Sequence, residues 1–307
     1  MPAKHPKVAV LLAAYNGMRW IEEQVDSIVA QSSVDVTLYI SIDPSSDGSA
    51  EWCEAYAAKN QRVIILPDVG RFGGASSNFF RLLRDVNIDG FDFVAFADQD
   101  DIWHADKLER AALVLGSGPY DAYSSNVIAF WPDGRTRLLD KAQPQVKWDF
   151  LFEAAGPGCT YVLSNRLAVS LRASILVHWD RLQGVSLHDW YFYAFARSHG
   201  YLWYIDPKPS MKYRQHEYNQ VGANTGLKAL LARYRSIQDG WWFCQVLLIA
   251  ELVGHRAAWL RSSGLGLHRR QLIRLSFRAW QCRRRFRDKL FFFLVCWIAT
   301  ITGVNAA

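Results

Sequence analysis

The chain has 307 residues, room for one large domain or two, and half of them are hydrophobic, with 13 Trp, 13 Tyr and 17 Phe, which excludes a disordered protein. Its five cysteines (Cys53, Cys159, Cys244, Cys282 and Cys296) are scattered, odd in number and lack a CxxC pair, which argues against a disulfide framework or a zinc site and for a reducing cytosol. The net charge of +6 is uneven: from Thr225 onward there are 14 Lys+Arg against 3 Asp+Glu, and before it 21 against 26, so a mildly acidic body carries a basic tail suited to an anionic partner.

Taken in order, Val8–Ala14 reads as a buried strand. Its seven apolar residues sit at the lower limit for a signal-peptide core and Tyr15-Asn16-Gly17 supplies no cleavage pattern, so the chain is expected to be unprocessed. Met18–Gln31 reads as a helix with Ile21, Val25, Ile28 and Val29 on one face. Val36–Ile42 is the next strand, closed by the turn Asp43 to Gly48. Ala50–Lys59 is helical, Arg62–Leu66 a strand, Gly70–Gly74 a glycine-rich turn, Ala75–Val86 a helix and Phe91–Phe96 a strand. Strands and helices alternating at this spacing predict βαβ units and a mainly parallel sheet. Beyond Leu115 the pattern loosens into strands over Tyr120–Ser125 and Val127–Trp131. A glycine hinge at Gly156 to Gly158 then leads to a further strand, and Ser164 caps a helix. Leu187–Ser198 reads as helix, Tyr201–Ile205 as strand and 212–216 as a polar terminal segment.

A boundary falls near Gly222 to Gly226, and everything after it reads helical, basic and aromatic. Arg270, Arg274, Arg278 and Arg285 fall within an arc of about 80° at the helical step, opposite Leu275, Ala279, Cys282 and Phe286. The 15-residue run Leu290–Val304 has no charge, short of the roughly 20 residues that span a bilayer. With Arg283-Arg284-Arg285, Arg287 and Lys289 before it, a membrane-surface or re-entrant segment is expected, or else a helical subdomain packed on the body. No recognised nucleic-acid-binding motif accompanies the charge, so nucleic acid is not an expected partner.

The most informative segment is Asp98-Gln99-Asp100-Asp101-Ile102-Trp103, which follows a buried strand. Carboxylates crowded at a strand's C-terminal end repel one another unless a cation sits among them, and ligands bind at that end of open α/β sheets. A Mg²⁺ or Mn²⁺ held there takes further ligands from substrate phosphates. Alternatively the run is a solvated turn, with Asp101 capping a helix that begins near His104.

Three further polar clusters decide between these readings: Ala14-Tyr15-Asn16-Gly17, Asp43 to Gly48, and His188-Asp189-Trp190. The segments VAVLLAAYNGMRWIEEQVDSIVAQ, SIDPSSDGS, GGASSNFFRLL, FVAFADQDDIWHADKL, GCTYVLSN, HDWY and YRQHEYNQVGA together resemble the family 2 glycosyltransferases of the GT-A fold. The closest likeness is to bacterial rhamnosyltransferases of O-antigen and other surface polysaccharide. The match runs in order from Lys7 to Ala223. It implies an α/β GT-A fold with a mainly parallel central sheet plus a C-terminal helical region: a catalytic domain over 1–223 and a membrane-associating region over 224–307.

The resemblance implies an inverting transferase with a divalent metal (Mg²⁺ or Mn²⁺), a nucleotide-diphospho-sugar donor (dTDP-L-rhamnose as the first choice) and a lipid-linked saccharide acceptor. It would work as a peripheral protein on the cytoplasmic face of the bacterial inner membrane. Other nucleotide sugars, a polyprenyl phosphate acceptor and a non-catalytic scaffold subunit are the alternatives. Ala14, Tyr15, Asn16, Asp43, Asn78, Asp98 and Gln99 map to the nucleotide sugar: Tyr15 stacks on the base, Asp43 accepts its N3–H, and Asp98 lies near the ribose. Asp100 maps to the metal, with His216 as a further ligand or diphosphate donor, as are Arg214 and Gln215. Asp189 matches the acceptor-side general base. Asp101 either assists or caps, and His188, Trp103, Trp190 and Tyr191 either shape the sugar or acceptor pocket or pack in the core. Departures from the family pattern lie on the nucleotide side: Ile42 replaces an acid, Ala13 a threonine, and Asp68-Val69-Gly70 an asparagine before the turn.

Overall fold

The computed structural model describes residues 5–217, 240–255 and 268–302. The boundary expected near 222–226 and the last two residues of the run 290–304 lie outside them. Strand β1 (Lys7–Ala14) is buried from its second residue onward and lies inside the sheet, which is why its apolar run is unbroken rather than alternating. It pairs in parallel with β2 (Asp35–Ile42) and β4 (Phe93–Asp98), and β2 pairs in parallel with β3 (Val63–Ile65). Beyond β4 come β9 (Val162–Ser164), β6 (Ala122–Ser125) and β10 (Trp203–Asp206), giving the order β10-β6-β9-β4-β1-β2-β3. Strand β9 runs antiparallel to both its neighbours, so the sheet is mainly parallel, as expected.

Alternation along β1 divides the core in two. Ala9, Leu11 and Ala13 face one cluster, with helices α3 (Ala75–Asp85), α5 (Asn165–Val177) and α7 (His188–Ser198). Val8, Val10, Leu12 and Ala14 face the other, with α1 (Ile21–Val29) and α4 (Lys107–Ser117). Helix α2 (Ser49–Lys59) adds Cys53 to the second cluster, and the short α6 (Trp179–Leu182) adds Leu182 to the first. Ser164 caps α5 as read, its hydroxyl accepting from the Leu167 N–H.

A second sheet, β5-β11-β7-β8, consists of Ile102–Trp103, Met211–Arg214, Val127–Phe130 and Thr136–Leu139. The segment read as polar and terminal, 212–216, is therefore largely strand β11. It pairs antiparallel with β5 through Met211 and Trp103, which brings residues 214–216 to the acidic cluster.

Three expectations need correction. Helix α1 starts at Ile21 rather than Met18, because the Gly17 carbonyl accepts both the Trp20 and Ile21 N–H groups and closes a turn first. The helix after the acidic cluster starts at Lys107, with Asp106 at its N-cap, so Asp101 caps nothing. The basic residues 270–285 do not share one helix. Helices α8 (Trp241–Leu252), α9 (Arg269–Ser276), α10 (Ala279–Cys282) and α11 (Phe286–Thr302) are separate. The break before α11 is extended at Arg283, whose guanidinium donates to the Phe152 carbonyl (2.8 Å), while the Arg284 N–H donates to Glu153 (2.7 Å). Leu275, Ala279 and Cys282 are buried as expected, but Phe286 is exposed. No described helix is long and apolar enough to cross a membrane. Phe243, Val246, Leu272, Cys282 and Val295 of these helices belong to the same core cluster as Leu11 and Phe96.

Candidate functional site

The C-terminal ends of β1, β2 and β4 lie side by side, and their loops are laced together. The Asp43 N–H donates to the Ala14 carbonyl (2.8 Å) and the Asn16 N–H to Ser45 Oγ (3.0 Å). Asn16 Oδ1 accepts from the Ser46 N–H (2.9 Å), Gly17 N–H donates to Ser49 Oγ (2.8 Å) and Met18 N–H to Asp47 (2.9 Å). Asn16 has a φ of 46°, the left-handed conformation that asparagine tolerates. Gln99 reaches back from β4 and pairs its whole amide with the Tyr15 backbone, accepting from the N–H (2.6 Å) and donating to the carbonyl (2.7 Å). A Cβ on Gly17 would lie 2.5 Å from Gln99 Oε1, so glycine is required for this clamp. The result is a closely hydrogen-bonded backbone that leaves Tyr15 48% exposed, a platform for stacking. Ala14 is buried beneath it.

Asp43 is buried, and its carboxylate accepts the N–H groups of Phe72 (3.3 Å) and Gly73 (3.1 Å). It therefore holds the glycine turn against the end of β2. Asn78 is buried under that turn; its Nδ2 donates to the Ser41 carbonyl (3.1 Å), while Oδ1 has no hydrogen-bond partner among the described residues. Arg81, not singled out in the sequence, ties the same helix to Ser41 Oγ (2.6 Å) and the Pro67 carbonyl (2.5 Å).

The acidic run splits by direction. Asp100 Oδ2 meets His216 Nε2 at 2.7 Å, and the His216 ring stacks on Trp20 (4.1 Å, 16°). Arg214 donates through Nε to the Asp100 carbonyl (2.8 Å) and through its backbone N–H to Asp101 (3.0 Å), and its guanidinium also pairs with Glu23. Gln215 is buried, its amide on the Arg214 carbonyl (2.9 Å). Asp101 turns inward with Cys159, and Asp98 lies beside them but stays partly exposed, their ligand atoms all within 4.8 Å of one another. Burial and the neighbouring Asp100 push the Asp98 carboxyl up to about 7, and burial, Asp100 and Asp98 push Asp101 well above the usual range.

What sequence reading missed is the cation beneath them. Lys107 is fully buried, its ammonium donating to the Cys159 carbonyl (2.6 Å) and lying 3.1 Å from the Trp103 ring centre. Burial lowers it to about 7, against the pull of Cys159, Asp101 and Asp98. Trp103 thus packs in the core under this lysine. A buried lysine beside it and a thiol pushed well above its ordinary value by burial make the Asp98–Asp101–Cys159 triplet a poor site for a hard divalent cation. The Asp100–His216 pair fits one better. One carboxylate oxygen and one imidazole nitrogen converge at 2.7 Å, close to the spacing of about 3 Å between adjacent ligands of an octahedral ion with bonds of about 2.1 Å.

Asp189 sits in the first turn of α7, accepting from the Trp190 N–H (2.7 Å). Burial raises it to about 6, Lys141 opposes that rise, and Asp98 and Asp189 are close enough to feel one another's charge. His188 is buried against Phe79 (4.0 Å, 28°), and burial lowers it to about 3, so it is neutral. Trp190 donates its indole N–H to the Phe150 carbonyl (3.0 Å), and Tyr191 bonds Ser174 (2.8 Å); both are core residues. Gly158 packs against this turn: a Cβ there would lie 2.6 Å from His188 Nε2 and 3.1 Å from Asp189 Cβ. The hinge GPG read in the sequence is the place to find it.

A family profile described as glycosyl transferase family 2 matches residues 9–161. The chain is 43% identical over 285 residues, 92% of its length and 98% of the relative's, to a dTDP-rhamnosyl transferase, RfbG, of Shigella flexneri. Among solved structures it is similar to S. aureus TarS 1–349 in complex with UDP (TM-score 0.55, 14% identity, 97% of this chain and 92% of that one). It is also similar to the mannosyltransferase PcManGT from Pyrobaculum calidifontis in complex with GDP-Man and Mn²⁺ (TM-score 0.51, 14% identity, 98% and 88%).

Proposed function

The chain belongs to glycosyl transferase family 2, and from that premise we propose that it is an inverting transferase that moves L-rhamnose from dTDP-L-rhamnose onto a lipid-linked saccharide. It would act in surface polysaccharide synthesis at the cytoplasmic face of a bacterial inner membrane. One observation carries the catalytic reading: a carboxylate in the first turn of α7, Asp189, lies close enough to Asp98 of the strand-end cluster for its charge to raise the Asp98 carboxyl. The relative named as a dTDP-rhamnosyl transferase supports the choice of donor.

In this reading the exposed Tyr15 ring stacks on the thymine, and Asp43 accepts from its N3–H while holding the Phe72–Gly73 turn. Asn16 and Gln99 set the backbone that carries Tyr15, with Ala14 as its floor. Asn78 shapes the turn from below. Asp98 takes the ribose edge. Asp100 and His216 would hold Mg²⁺ or Mn²⁺, which would offset the negative charge that builds on the leaving diphosphate, and Arg214 steadies the loop through the Asp100 carbonyl. Asp101 is inward-facing and organises β11 through the Arg214 N–H.

Asp189 removes the proton from the acceptor hydroxyl. Its oxygen attacks C1 as the bond from C1 to the diphosphate oxygen breaks, through an oxocarbenium-like state. A base on the face opposite the leaving group inverts C1. The carboxyl near 6 suits a base at neutral pH: mostly ionised, yet more basic than a solvated aspartate. His188, neutral and stacked, fixes the turn that presents Asp189.

Turnover of a panel of intact nucleotide sugars, with a polyprenyl-diphosphate saccharide as acceptor, tests this. Transfer from dTDP-L-rhamnose with inverted stereochemistry is expected. Preference for another donor would overturn the sugar assignment, and retained stereochemistry would overturn the single-base mechanism.

A further inference from the structure

Helix α11 is apolar almost all round but packed on one side only. Phe292, Val295, Cys296 and Ala299 are buried against the body. On the opposite side Phe286, Leu290, Leu294, Trp297 and Ile301 recur at helical spacing and are between 36% and 74% exposed. Phe277, just past α9, extends this stripe: its ring lies 6.5 Å from Phe293 and 6.4 Å from Trp297, and those two are 6.3 Å apart. Soluble monomers rarely leave so large a contiguous apolar face without a partner. The face has a charged border. Arg270 and Arg274 precede Phe277 at helical spacing and are exposed, and Arg287 stands exposed at the start of α11. Over residues 268–302 there are nine Lys+Arg and one acid, Asp288, which is spent on Arg283 and Arg287.

From this pairing we propose that the exposed side of α11, with Phe277, is a docking face that lies in the headgroup layer of a bilayer rich in anionic lipid. The helix runs along the surface for about 25 Å, its aromatic and leucine side chains in the acyl boundary and the arginines on lipid phosphates. The arginine border favours this occupant over a second copy of the chain. A two-fold interface sets the same patch against itself, and here it would bring two sets of arginines together. The proposal deepens the lipid-linked reading of the acceptor, because this face would hold the acceptor cleft at the surface where such a saccharide is presented.

Sedimentation of the full chain with phosphatidylcholine vesicles, with and without phosphatidylglycerol, tests it. Binding is expected to the anionic vesicles and to weaken with salt. The Leu294→Ser/Trp297→Ser variant should partition at least about tenfold less. Arg270→Gln/Arg274→Gln/Arg287→Gln should lose about fivefold per arginine while changing no packed side chain, so the test stands even if the apolar variant folds poorly. Equal partition of wild type and both variants would overturn the proposal. So would an apolar variant that turns a dimer into a monomer in sedimentation velocity, which would make the face a subunit interface. Transfer in detergent separates this from the acceptor assignment: vesicle binding by a chain that glycosylates only water-soluble acceptors would sink the acceptor reading alone. Efficient use of the lipid-linked acceptor in micelles, without vesicle binding, would sink the docking face alone.

Discussion

Gly158→Ala is the smallest change that should reach the chemistry without touching a reacting group. The added methyl would sit 2.6 Å from His188 Nε2 and 3.1 Å from Asp189 Cβ, against an ordinary carbon contact of about 3.5–4.0 Å. The imidazole would have to retreat by roughly 1 Å. It has nowhere to go, being stacked 4.0 Å from Phe79 and edged by Phe192 at 5.5 Å. The first turn of α7 must move instead, carrying Asp189 with it. A displacement of about 1 Å in a catalytic group costs on the order of 10²-fold in rate, and overpacking of this kind costs about 1–3 kcal/mol in stability. Donor binding should survive, because Tyr15 and Asp43 belong to other loops. The assay is kcat at saturating donor and acceptor beside calorimetric binding of dTDP and a denaturant melt. Adding His188→Ala to the same chain should relieve the clash and recover part of the lost rate. A Gly158→Ala protein with kcat within about twofold of wild type would refute the claim that this glycine positions the base.

Four further outcomes are expected. Asp189→Asn should lower transfer by about 10²–10⁴-fold with dTDP affinity unchanged; near-normal turnover would remove Asp189 from its role. The acid limb of kcat/KM should fall near pH 6: in the proposed mechanism Asp189 works ionised, its carboxyl is raised to about 6, and activity should be lost as pH drops through that value; a limb near pH 4 would mean that burial does not govern the proposed base. Chelation should abolish transfer and Mn²⁺ should restore it, with His216→Ala needing more Mn²⁺ for half-activation; an unchanged requirement would release His216 from the metal. Lys107→Met should cost about 1–3 kcal/mol in a urea melt, because it leaves the buried Cys159 carbonyl without its donor; a neutral result would mean that the buried lysine is not needed to hold this floor of the site.

The sheet and the strand-end clusters were legible because their physics is local. β1 and β4 are unbroken apolar runs since both faces are covered, and each delivers its polar residues at a strand end. Lys107 was not legible: a lysine in a helix reads as solvated, and only the packing of Trp103 and Cys159 around it reveals a buried cation. Strand β5 has two residues, and β8 is exposed over Thr136 to Arg137 and Leu138, so neither leaves a periodic signal. The break at Arg283 was hidden for a related reason. Its extended backbone is fixed by Phe152 and Glu153, about 130 residues away in the chain.

The anchoring of that break bears on how such enzymes can be recombined. Arg284 is buried, its guanidinium donating to the Ala154 carbonyl (2.6 Å) and lying 3.7 Å from Asp149, which Tyr193 of α7 also grips at 2.7 Å. A chimera that exchanged the C-terminal helices at residue 224 for helices without an arginine at this position would therefore leave Asp149 with Arg197 (3.2 Å) as its one remaining cation among the described residues, next to the helix that carries Asp189. The heritable module is discontinuous: the helices travel with residues 148–154, and a graft respecting that seam should keep its activity where a simple tail swap loses it.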